Sequence, residues 1–211
     1  MELYSSEHIT SLIGGSHHGY SGDIAINYLL IDSRKLVFPS STLFFAIKTA
    51  TGDGHRFIDE LYQAGVRSFV VTQLPEISHF PEACFFEVPD VTQALQSFAT
   101  AHRKKFECPV IGITGSNGKT IVKEWLNHLL HHKFQIVRSP RSYNSQLGVP
   151  LSIWGMGAEH DLGIFEAGIS RPGEMSALQK IIRPTIGLIT NIGEAHSDGF
   201  VSIEEKLKEK L

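Results

Sequence analysis

Val110-Ile111-Gly112-Ile113-Thr114-Gly115-Ser116-Asn117-Gly118-Lys119-Thr120 runs from an apolar stretch through a glycine-rich turn into the start of a periodic segment. Val110 to Thr114 reads as a buried strand. From Lys119 to His131 the spacing predicts a helix with Ile121, Val122, Trp125, Leu126, Leu129 and Leu130 on its buried side. A glycine-rich turn between a strand and a helix is the setting that a phosphate-binding loop requires. Gly115 and Gly118 permit tight turns, so the backbone N–H groups around Ser116 and Asn117 can point at phosphate oxygens. The positive end of the helix dipole adds to that field. Lys119 is then placed for the β- and γ-phosphates, and Thr120 offers a hydroxyl to Mg²⁺. The first glycine of the usual G-x-x-x-x-G-K-T pattern is replaced by Ile113.

Working outward, strands and helices alternate on both sides of this loop. Downstream, Phe134 to Val137, Leu162 to Phe165 and Thr185 to Thr190 read as strands, and Pro172 to Ile182 as a helix with Met175, Leu178 and Ile182 facing inward. Such a series suits a mainly parallel sheet. Ser202 and Glu205 form a capping box, opening a helix that the last residues cut short. Upstream, Ser6 to Ile13 reads as a helix closed by Gly14-Gly15. Leu43 to Ile47, Val66 to Thr72 and Phe85 to Val88 read as strands, and Asp90 as the N-cap of a helix reaching about Lys105. Phe106-Glu107-Cys108-Pro109 breaks that helix. The expectation is therefore an α/β protein of two units: a small N-terminal α/β domain over 1–107 and an incomplete P-loop domain with a mainly parallel sheet over 108–211.

Composition narrows the function. A net charge of −3 and the lack of any basic run interleaved with aromatics argue against a grip on nucleic acid. The polar, acidic start Met1 to His8 is unlike a signal peptide, and no stretch is long and apolar enough for membrane insertion, so a cytoplasmic protein is expected. Cys84 and Cys108 form neither a metal-type pair nor a disulfide framework.

Two further residues lie where a nucleotide site needs them. Glu166 closes the strand Leu162 to Phe165, at the carboxyl end where parallel sheets place ligands, and Mg²⁺ prefers such hard oxygen donors. His196 follows the last strand in Thr190-Asn191-Ile192-Gly193-Glu194-Ala195-His196. Lys206, Lys208 and Lys210 read, by spacing alone, as a solvated helix face.

Taken together, these residues resemble the Mur ligase family. I-T-G-S-N-G-K-T at Ile113 to Thr120 resembles that family's P-loop, which commonly lacks the first glycine. Asp32-Ser33-Arg34 with Thr42 to Ile47 looks like the UDP-binding domain of the MurF and MurE branch. Asn144 to Pro150 resembles its N-N-x-x-G-V-P stretch, with Ser145 at the second Asn, and Arg141-Ser142-Tyr143 replaces the usual residues before it. Phe165 to Gly168 and Asn191 to His196 resemble its metal-binding segments. Ala195 to Phe200 is most like the MurF branch, and R-S-Y-N-S-Q resembles a MurF variant fused to an alanine racemase.

The resemblance implies an ATP-dependent ligase that joins D-alanyl-D-alanine to UDP-MurNAc-tripeptide through an acyl phosphate in peptidoglycan precursor synthesis. It implies that Gly115 to Thr120 bind the nucleotide, and that Ser33, Arg34 and Asn144 contact the UDP-linked substrate. Thr120 and Glu166 would hold one of two Mg²⁺ ions and His196 would help hold the second. A lysine carbamylated by CO₂ is also implied, at Lys210 or more weakly at Lys208. A third domain beyond Leu211, a monomer, and a 211-residue piece inactive alone complete the implication. The alternatives are a MurE-type ligase adding a single amino acid, a folylpolyglutamate synthetase, against which the first hundred or so residues argue, and a P-loop ATPase that is not a ligase.

Overall fold

The computed structural model describes residues 3–193, 200 and 202–210. They fall into two compact units, Met1–Phe98 and Ala99–Leu211.

In the first unit, β1 (Leu3–Ser5) leads into α1 (Ser6–Ile13), whose first turn is capped by the Ser5 hydroxyl and whose end is Gly14 in the left-handed region, φ 70°. β2 (Ser16–Gly19) and β3 (Asp23–Ala25) occupy the polar stretch up to Ala25, and β4 (Tyr28–Leu30) lies in the apolar run Ile26 to Ile31 that follows. β5 (Thr42–Phe45), the short pair β6 (Lys48–Thr49) and β7 (Gly52–Asp53), α2 (Ile58–Gln63), β8 (Ser68–Val71) and β9 (Cys84–Glu87) follow, and α3 (Val91–Arg103) carries the chain into the second unit. The main sheet has the order β2-β9-β8-β5-β4, parallel except for β2. Phe44, Phe69 and Phe85 fill one face, with the Phe69 and Phe85 rings stacked 5.2 Å apart. Cys84 is enclosed in β9, and burial pushes its thiol up to about 12, which leaves it un-ionised and inert near neutrality.

The second unit contains β10 (Val110–Thr114), α4 (Lys119–Leu130), β11 (Ile136–Arg138), α5 (Gly148–Trp154), β12 (Leu162–Glu166), α6 (Glu174–Ile182), β13 (Ile186–Ile189) and α7 (Ile203–Lys210). Its sheet has the order β11-β12-β10-β13 and every pairing is parallel. The chain leaves β10 toward one side and returns across it to reach β13. The carboxyl ends of β10 and β12 therefore lie at a change of direction, where such sheets open a crevice. Alternation along the strands sorts the core. Ile111, Ile113, Leu162 and Ile164 meet Val122, Leu126 and Leu130 of α4, while Val110 and Phe165 face Ile153, Leu178 and Ile181 on the other side.

The two compact units divide within α3, between Phe98 and Ala99. The cause is Arg103, buried at the end of α3, whose guanidinium donates to the carbonyls of Phe106, Ile182 and Arg183 and so anchors that end to the close of α6. Burial holds its pKa below the usual arginine value. One expectation changes here, on α4. Ile121, Trp125 and Leu129 are 57%, 68% and 71% exposed, so only Val122, Leu126 and Leu130 of the expected six face the sheet. Adjacent residues on a helix are rotated by about 100°, and one sheet covers only one of the two apolar rows.

Candidate phosphate-loop site

The loop after β10 is shaped by its glycines. Gly115 has φ 138° and Gly118 φ 81°, conformations that a side chain resists, and Gly118 opens α4. At Gly115 space is also closed, since a Cβ there would lie 2.0 Å from Thr190 Oγ1. The residues after β13 bracket the loop. Ser116 N–H donates to the Asn191 carbonyl at 2.9 Å and Asn117 N–H to Asn191 Oδ1 at 2.9 Å. The Ser116 hydroxyl exchanges bonds with the Gly193 backbone, and Thr190 Oγ1 donates to the Asn117 carbonyl. Lys119 lies back along the loop, its ammonium 2.8 Å from the Gly115 carbonyl. A cation over a glycine turn at a helix start is a phosphate cradle by charge and by shape.

Glu166 stands at the tip of β12 and is 0% exposed. Thr120 Oγ1 donates to its Oε2 at 3.1 Å, and Asn144 Nδ2 donates to the same oxygen at 3.3 Å. Its other oxygen is 2.9 Å from the ammonium of Lys123, which is also 0% exposed. The Glu166 N–H donates to Ser139 Oγ at 3.2 Å. A hydroxyl and a carboxylate oxygen meeting beside the phosphate loop are the hard donors that Mg²⁺ takes, so the residues present fit that ion.

The remaining expected site residues divide. Lys210, read by spacing as part of a solvated face, is only 6% exposed and its ammonium lies 3.3 Å from Thr114 Oγ1 and 3.4 Å from the Gly115 carbonyl. That brings it to the phosphate loop and corrects the solvated reading; Lys208 is exposed. The physical reason is that α7 packs on α6, with Glu209 accepting from the Met175 N–H at 3.0 Å, which turns Lys210 inward. His196 lies outside the described residues. Ser33 and Arg34 belong to the first unit, in a short 3₁₀ turn capped by Asp32. The Arg34 guanidinium forms two bonds to the Asp32 carboxylate, at 2.8 and 2.9 Å, and that bond holds Asp32 below the usual carboxylate range. Ser145 accepts from the Gly148 N–H at the start of α5.

Sequence reasoning missed Lys123, Ser139 and the bracketing role of Thr190 and Asn191. Lys123 had a signal: it stands one turn after Lys119 and beside Val122, on the side of α4 that faces the sheet.

The fold and this loop define a P-loop α/β protein. Residues 113–211 match the Mur ligase middle domain. The chain is 38% identical over 176 residues to the UDP-N-acetylmuramoyl-tripeptide–D-alanyl-D-alanine ligase of Synechocystis, covering 83% of this chain and 38% of that protein. Among solved structures it is similar to a MurF from Acinetobacter baumannii, with a TM-score of 0.88 and 26% identity over 100% of this chain and 46% of the other. It is also similar to the MurF of Thermotoga maritima solved with ADP, with a TM-score of 0.77 and 30% identity over 87% of this chain and 42% of the other. The chain belongs to the Mur ligase family. It spans less than half the length of these relatives.

Proposed function

We propose that the protein containing these residues is an ATP-dependent ligase of the MurF type, joining D-alanyl-D-alanine to UDP-MurNAc-tripeptide. The observation that carries the reading is the convergence of Thr120, Glu166 and Lys210 on one phosphate loop. On this reading residues 1–107 bind the UDP-linked precursor, through Ser33 and Arg34, and residues 108–211 bind ATP. The reaction then belongs in the cytoplasm, where ATP and the precursor are found, and the enzyme acts as a monomer.

A carboxylate is a poor electrophile; transfer of the ATP γ-phosphoryl group onto its oxygen, with ADP leaving, gives an acyl phosphate, from which the incoming amine displaces phosphate. The chain's part is alignment and charge neutralisation. Lys119 and the loop N–H groups hold the β- and γ-phosphates, which requires the ammonium to swing off the Gly115 carbonyl. Thr120 Oγ1 and Glu166 Oε2 hold Mg²⁺, with His196 assigned to a second ion. When bound, Mg²⁺ neutralises charge on the transferring phosphoryl group. Asn144, bonded to Glu166, keeps the carboxylate aimed while offering its amide to the substrate side. Lys210, carbamylated by CO₂, would present carboxylate oxygens from within reach of Thr114.

The test follows phosphate release and product formation with ATP, Mg²⁺, UDP-MurNAc-tripeptide and D-alanyl-D-alanine. The 211-residue chain is expected to bind the UDP precursor and ADP without ligating, and the protein extended to its relatives' length is expected to ligate. Ligation of a single amino acid in place of the dipeptide by the extended protein would reject the MurF assignment. Sustained ligation by the 211 residues alone would reject the division of labour.

A further inference from the structure

We propose that Lys123 is the positioning residue for Glu166, holding the carboxylate by one oxygen so that only the other is presented to the cation; this rests on the reading of Glu166 as a Mg²⁺ ligand. The ammonium of Lys123 is fully enclosed, and its neighbours are specific. Glu166 Oε1 lies at 2.9 Å, the Ser139 carbonyl accepts at 2.8 Å, and the Arg141 carbonyl accepts a third bond. Glu124 Oε1, at 3.3 Å, adds a second carboxylate at the rim. Two hydrogen bonds to the loop that follows β11 thus hold the ammonium in ion-pair contact with the carboxylate at the tip of β12.

Stability alone does not call for this lysine. A buried ion pair is seldom better for stability than apolar residues of the same volume, so its presence beside the phosphate loop points to another role. Geometry supplies the role. The oxygen taken by Lys123 is Oε1, whereas Thr120 and Asn144 both bond Oε2, the oxygen facing the phosphate loop. Lys123 lies one helical turn beyond Lys119, so the helix that starts at the phosphate cradle also carries the group that sets the metal ligand. The same ammonium fixes the carbonyls of Ser139 and Arg141, and Arg141 adopts φ 50°. That loop leads directly to Asn144, and Ser139 Oγ accepts the Glu166 N–H. Lys123 therefore fixes both the carboxylate and the amide that bonds it.

The experiment compares wild type, Lys123→Met, Glu166→Gln and the double variant, all as the 211-residue chain. Fluorescent ADP binding is titrated with Mg²⁺ and repeated in EDTA, and thermal melts are recorded without nucleotide. Lys123→Met is expected to raise the Mg²⁺ concentration needed for half-maximal enhancement by about 10- to 100-fold, with binding in EDTA unchanged. A merely structural role would lower binding in both conditions together. The double variant, which removes both charges, is expected to melt above either single variant while still lacking the Mg²⁺ response. If Lys123→Met does not fold, rescue of folding by the added Glu166→Gln is the readout, and failure to rescue overturns the proposal. A Lys123→Met chain with the wild-type Mg²⁺ response also overturns it, leaving Glu166 as the ligand. A Glu166→Gln chain with that response rejects the metal reading itself, and is distinguishable because Lys123 is intact.

Discussion

Glu166→Gln in the extended protein is expected to lower Mg²⁺-dependent ligation by on the order of 10³-fold, the scale of removing a group that stabilises charge in the transition state. The substitution keeps volume and removes the only charge that β12 brings to Thr120. The same change is also expected to weaken the fold. Glu166 is the partner of a fully enclosed ammonium, and removing one member of a buried pair costs about 3 to 5 kcal/mol. Glutamine retains an acceptor for Lys123, so the lower end is expected. The measurement is initial ligation rate against Mg²⁺ at a temperature below the variant's own melt. A variant that melts early yet ligates at near the wild-type rate when folded would show that the carboxylate serves structure alone.

Gly115→Ala is expected to be the most damaging single change in the loop. A side chain at φ 138° costs about 1 to 3 kcal/mol in backbone strain, and the new Cβ would lie 2.0 Å from Thr190 Oγ1. Relief of that overlap must move the segment after β13, which supports Ser116 and Asn117 through Asn191. ADP binding to the 211-residue chain is expected to fall below detection while the first unit keeps its own melting transition. Gly173→Ala serves as the control, since it also has positive φ, 84°, but a Cβ there meets nothing within 4 Å. Equal ADP affinity in the two variants would show that the overlap at Thr190 is relieved without disturbing the cradle.

How much of this was legible in sequence depends on how local the signal is. The strand–loop–helix of residues 110–130 declares itself, because glycine placement and apolar spacing are short-range properties. Glu166 was found by the same logic, as a charge closing an apolar run. Strands β2 and β3 were not, because both lie in a polar stretch and are made strands by their partners: β2 lies on β9, far along the chain, and β3 turns back onto β1. Lys210 shows the limit of periodicity. Its neighbours are charged, so the spacing reads as solvated, and only the packing of α7 on α6 turns it toward Thr114. On α4 the error ran the other way. Two apolar rows one residue apart look like one wide face, and the sequence carries no record of which the sheet covers.

The uncovered row on α4 also has an optical meaning. Its central residue, Trp125, is one of two tryptophans in the chain and stands at 68% exposure. The other, Trp154, is half-buried with its ring 4.4 Å from that of His102. The two fluorophores therefore sit in unlike surroundings, one in water and one against an imidazole. Their emission can be separated by a water-borne quencher. The water-facing lamp is mounted on the helix that begins at the phosphate cradle, so whatever comes to lie against that row would change its colour without any added label.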